Sequence, residues 1–89
     1  MKIALKKRLL LVDFVETTRL MLEHFLGDEF DIIHKKDGAE AWHFLQSGAS
    51  IDFMITEINL PKLNGKQLIQ QLRQQKLYQP SLLIYTKSL

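Results

Sequence analysis

The chain predicts an α/β fold in which a doubly wound parallel sheet carries helices on both faces, and three observations lead there. Short apolar runs of strand length alternate with segments of helical spacing. Turn residues fall between these segments rather than inside them. Two of the apolar runs finish on a carboxylate, as strands buried on both faces do when they reach the rim of a sheet. With 89 residues there is room for one domain, spanning residues 1–89, and a modest core.

Leu9, Leu10, Leu11 and Val12 form the first strand, closed by Asp13. From Val15 to residue 26 the pattern turns helical, with Val15, Leu20, Met21, Leu22, Phe25 and Leu26 as the apolar positions and Gly27 as the stop. Phe30, Ile32 and Ile33 make a second strand. The Asp37-Gly38 turn then leads into a helix carrying Ala39, Ala41, Trp42 and Leu45, which runs to about Gly48. A third strand occupies residues 51–55 and is followed by a second rim acid, Glu57. Pro61 and Asn64-Gly65 bound a loop, and Leu68, Ile69 and Leu72 mark a third helix with a glutamine-rich outer face. Pro80 precedes the last apolar run, residues 82–85, which ends on Thr86. The order is β-α-β-α-β-α-β, with right-handed crossovers expected.

Composition narrows the function classes. The chain is 46% hydrophobic and 25% charged, as globular domains are. It has no cysteine, which excludes disulfides, thiolate catalysis and Cys-based zinc sites and fits a reducing compartment. His24, His34 and His43 are scattered, with no spacing that converges on a metal. No apolar stretch approaches membrane-spanning length, so a soluble, cytoplasmic protein with no membrane partner is expected. Twelve Lys and Arg against ten Asp and Glu leave a net charge of +2, too small a surplus to imply nucleic acid. The charge is segregated, however: every carboxylate lies within residues 9–57, and Lys62, Lys66, Arg73 and Lys76 follow uninterrupted by acids. This set reads as a solvated basic face. Its use as a nucleic-acid contact is an alternative that a steep salt dependence would reveal.

In parallel sheets ligands bind outside the carboxyl ends of the strands, near the point where strand order reverses. Asp13, Glu57 and Thr86 all stand at strand ends, which gathers two acids and a hydroxyl at one rim of the sheet.

The residues that carry this rim resemble those of a known family. Residues 9–14 (LLLVDF), the Asp37-Gly38 turn with Ala41 after it, the run Glu57-Ile58-Asn59-Leu60-Pro61-Lys62-Leu63-Asn64-Gly65 and residues 82–86 (LLIYT) are together similar to the receiver domain of two-component response regulators. The most specific part is an acid at a strand end with Pro four residues on and Gly eight residues on. The resemblance implies a flavodoxin-like sheet of strand order 2-1-3-4, incomplete here, because a chain ending at Leu89 lacks the family's fourth helix, fifth strand and fifth helix.

The resemblance also implies a phosphoryl switch. A strand-three Asp accepts phosphate from a histidine kinase. Magnesium is held by that Asp and an acid pair after strand one, and a strand-four hydroxyl and a strand-five Lys grip the phosphoryl oxygens. An attacking carboxylate and an anionic phosphoryl group repel unless such cations neutralise the developing charge. Measured against that set, Glu57 stands at the acceptor position, one methylene longer than Asp. Asp13 keeps one acid of the pair, and Phe14 replaces the other with a ring that offers no oxygen. Thr86 matches the hydroxyl, and Lys87 follows it where the family has a small residue.

The expectation is a receiver-like signalling module, not an enzyme, with no cofactor and poor magnesium binding; Asp13 and Glu57 are the only metal candidates. It acts through a protein partner without aspartyl phosphorylation, and Glu57, held by Thr86 with Lys87 as charge partner, supplies a fixed negative charge. Residual magnesium-dependent phosphoacceptor activity is the alternative. Ending at an apolar strand four leaves an edge open, so self-association through that edge is expected too.

Overall fold

A computed structural model describes residues 6–75 and 81–85. In chain order it contains β1 (Lys7–Val12), α1 (Glu16–Leu26), β2 (Phe30–Lys35), α2 (Gly38–Gln46), β3 (Phe53–Glu57), α3 (Gly65–Gln74) and β4 (Ser81–Tyr85). The four strands form one sheet in the order β2-β1-β3-β4, with every neighbouring pair parallel. The predicted fold class and strand order are thus found, and the reversal of strand order falls between β1 and β3, the two strands followed or ended by the rim acids.

The uninterrupted apolar run of β1 explains why it sits centrally. Leu9 to Val12 are all buried, and odd and even residues face opposite sides. Leu10 and Val12 join Met54, Ala41, Leu45, Ile51, Leu60, Leu68 and Leu72 in the main core beneath α2 and α3, with Trp42 packed at its margin. On the opposite face Leu9, Phe30, Phe53 and Ile55 line an apolar pocket of about 270 Å³ with Leu26 of α1. The Phe30 and Phe53 rings meet there edge to face at 5.5 Å.

Helix ends follow local chemistry. Asp37, read from the sequence as a turn residue, is the N-cap of α2 and accepts the Glu40 N–H at 2.8 Å. Asn64 and Gln67 form a capping box at the start of α3. α1 differs from expectation in its packing. Phe25 is 71% exposed, and Leu20, Met21 and Val15 also face outward, so six apolar positions serve a helix that has no fully buried residue. β3 begins two residues later than the apolar run suggested. Asp52 precedes it, and its carboxylate accepts the Arg8 N–H at 2.8 Å, holding the strand's entry against β1.

β4 is an outer strand of the sheet among the described residues. Lys76, Thr86, Lys87 and Leu89 lie outside the described residues, and with them the parts expected of Thr86 and Lys87 in holding Glu57. No helix of the described residues is long and apolar enough to cross a membrane.

Candidate functional site: the acidic rim

Two strand ends create the site. Asp13 directly follows β1 and is 0% exposed; Glu57 ends β3 and is 3% exposed. Carboxylates this deeply placed need hydrogen-bond donors, and the local chain supplies them. Asp13 Oδ1 accepts the Val15 N–H at 2.8 Å, a turn that starts the chain toward α1. Glu57 Oε1 accepts the Asn59 N–H at 3.3 Å, drawing the carboxylate back over its own loop. The Asn59 and Glu57 positions singled out from the sequence are therefore joined through the backbone.

The loop after β3 is shaped to permit this. Gly65 donates its N–H to the Ile58 carbonyl at 2.9 Å. A β-carbon at Gly65 would lie 2.5 Å from the Glu57 carbonyl oxygen, so only glycine lets α3 start this close to the strand end. Pro61 accepts the Leu63 N–H at 2.8 Å, and between them Lys62 takes a left-handed backbone with φ of 69°. That geometry sends the Lys62 ammonium to 3.8 Å from the buried Asp37 carboxylate. Lys62 thus points to α2, while Lys66 and Arg73 lie exposed on α3. The basic set is divided between two directions over the described residues.

Phe14 does not fill the rim. Its ring is 59% exposed, and the corner beside Asp13 is closed instead by two residues the sequence reading missed. Arg19, in the second turn of α1, donates from Nη1 to the Asp13 carbonyl oxygen. Tyr85, the last residue of β4, donates its hydroxyl to Asp13 Oδ2. The one signal in the chain was a phenol at the end of an apolar run, which has a donor to offer; its register opposite Glu57 comes from the sheet.

Burial pushes the Tyr85 phenol well above its ordinary ionisation range, the hydrogen bond to Asp13 adds to this, and the negative charges of Asp13 and Glu57 add further. A phenol raised by folding stabilises the fold fully below its unfolded value of about 10, and that contribution is lost as the pH climbs above it toward the folded value. Alkaline unfolding above about pH 10 is therefore expected to be steeper in the natural chain than in Tyr85→Phe. Circular dichroism followed during base titration measures this, and superimposable curves would contradict the arrangement.

A magnesium ion asks for several hard oxygen ligands in near-octahedral array. At this rim Asp13 accepts a hydrogen bond on each carboxylate oxygen, Glu57 accepts one on Oε1 from its loop, and Phe14 has no oxygen to give. Among the described residues no cluster of three or more His, Asp or Glu is placed to hold a metal.

Residues 9–88 match the family model of the response regulator receiver domain. The chain is 31% identical over 85 residues to a chemotaxis protein CheY homolog of Campylobacter jejuni, covering 90% of this chain and 65% of the relative. It is 34% identical over 84 residues to the alkaline phosphatase synthesis transcriptional regulatory protein PhoP of Bacillus subtilis, covering 93% of this chain and 35% of that protein. It thus spans just under two thirds of the first of these curated relatives and about a third of the second. Among solved structures, the chemotaxis response regulator CheY4 of Vibrio cholerae superimposes with a TM-score of 0.83 at 28% identity, over 90% of this chain and 68% of that one. A signal receiver domain from Pseudomonas fluorescens gives a TM-score of 0.82 at 24% identity, over 93% of this chain and 66% of that one, a likeness of fold.

Proposed function

This chain belongs to the response regulator receiver family of two-component signalling, and from that premise we propose that it signals by protein–protein contact without phosphorylation of the acceptor position. The observation that carries the reading is the state of that position. Glu57 stands at the end of β3, only 3% exposed, with its Oε1 oxygen accepting the Asn59 N–H. In-line phosphoryl transfer tolerates misplacement of only about 1 Å before rates fall steeply, and an added methylene moves a carboxylate by more than that. The acid that remains beside it, Asp13, is engaged by Val15 and Tyr85.

In this reading Glu57 supplies a permanent negative charge where a phosphorylated side chain would bring −1.5 to about −2. The outputs are surfaces rather than chemistry. The exposed apolar residues of α1 and the outer strand β4 are the leading candidates to meet a protein partner, and self-association through β4 belongs to the same proposal. Nucleic acid is the weaker reading, since Lys62 is directed toward Asp37 rather than along α3.

Incubation with acetyl phosphate and magnesium, followed by intact mass measurement, tests this. The expected result is an unmodified mass under conditions that phosphorylate a receiver with an Asp acceptor. A single-phosphate adduct lost in Glu57→Gln would overturn the proposal and restore the phosphoacceptor alternative.

A further inference from the structure

The bond between Tyr85 and Asp13 crosses the sheet. β4 is not a neighbour of β1, since β3 lies between them, and Glu57 at the end of β3 is the residue in register with Tyr85. To reach Asp13 the phenol must therefore span the rim over the end of β3, between the two buried acids. Asp13 Oδ1 is turned to the Val15 amide, so Oδ2 is the oxygen directed toward the rim, and the Tyr85 hydroxyl donates to it.

We propose that Tyr85 is a latch that closes the acidic rim to divalent cations: its hydroxyl holds the Asp13 oxygen that an ion shared between Asp13 and Glu57 would have to take. A hydroxyl proton and a hard cation compete for the same oxygen, and the tethered proton has the advantage of being covalently delivered by β4. The latch sets affinity and does not itself bind the ion. It stands on the geometry of the rim and is independent of whether Glu57 accepts phosphate, so the mass measurement above can fail while the latch holds, and the reverse.

Titration with Mn²⁺, with free ion counted by electron paramagnetic resonance, tests the latch on the natural chain, on Tyr85→Phe, and on Tyr85→Phe combined with Asp13→Asn. Phenylalanine keeps the ring and removes only the donor. The expected result is Mn²⁺ binding at least about tenfold tighter in Tyr85→Phe, equivalent to about 1.4 kcal/mol, with the gain abolished by Asp13→Asn. Equal affinity in the natural chain and a folded Tyr85→Phe would overturn the proposal, and so would a gain that survives Asp13→Asn.

Should Tyr85→Phe fail to fold, nuclear magnetic resonance of the natural chain decides. A Tyr85 hydroxyl proton protected from exchange is expected, disappearing only in step with any magnesium-induced shift of the Asp13 carboxyl carbon. An unprotected hydroxyl, or a carboxyl shift that leaves the hydroxyl resonance in place, would overturn the latch.

Discussion

Gly38→Ala is expected to destabilise the domain by about 3 kcal/mol or more, at or beyond the upper end of what overpacking usually costs. A β-carbon there would lie 1.8 Å from the Leu63 carbonyl oxygen and 2.6 Å from the Leu63 carbonyl carbon and Cβ. Two of those atoms are backbone, so no rotamer change relieves the overlap. The start of α2 must draw back from the loop that follows β3. Asp37, which caps α2 and faces Lys62 at 3.8 Å, moves with it. Small domains hold only about 5–15 kcal/mol in total, so urea unfolding will register the loss as a large drop in midpoint. A cost below about 1 kcal/mol would show that α2 and the loop are not in this contact.

Leu10→Ala should cost about 3 kcal/mol, within the range of roughly 2–5 kcal/mol seen when buried leucines are truncated. Leu10 is fully buried in β1, in register with Ile33 on one side and Met54 on the other, and faces the cluster formed with α2 and α3. Both neighbouring strands are held by backbone ladders, so the space left behind cannot collapse easily. Leu20→Ala is the matched control. Leu20 is 52% exposed on α1, and its truncation should change stability by no more than about 0.5 kcal/mol. Similar losses at the two positions would contradict the placement of the core.

These contrasts show where sequence reading works and where it stops. β1 was legible because burial on both faces leaves an uninterrupted run, Leu9 to Val12, that no other local structure explains as well. α1 was legible as a helix but not in its orientation: Leu20, Met21 and Phe25 look like core by periodicity, yet this side of the sheet draws on Leu26 and leaves them outside. Apolar spacing reports a period, and only packing reports which side of it is covered. β3 was displaced by two residues because Ile51 is buried as part of the core without belonging to the strand.

The candidate site divided in the same way. Asp13, Glu57, Asn59, Pro61 and Gly65 were found from spacing, since strand ends and turn residues are features of local sequence. The distant partners of Asp13 were not. Tyr85 lies 72 positions from Asp13 and looks like one more apolar-run residue until the sheet brings β4 to the rim. Arg19 resembles an ordinary exposed helix residue until its guanidinium turns back to the Asp13 carbonyl.

By itself the sequence determined the alternation of strands and helices, the parallel sheet that follows from it, and the identity of the two acids at its rim, because each depends on neighbours within a few residues. The tertiary structure alone decided which group from far along the chain reaches them and how the loop beside them closes. Asp13 is answered by a phenol delivered across the sheet from β4, and Glu57 by the amide of a loop that closes only because Gly65 admits the start of α3. Local chemistry chooses which groups reach the rim; the strand order chooses which of them meet.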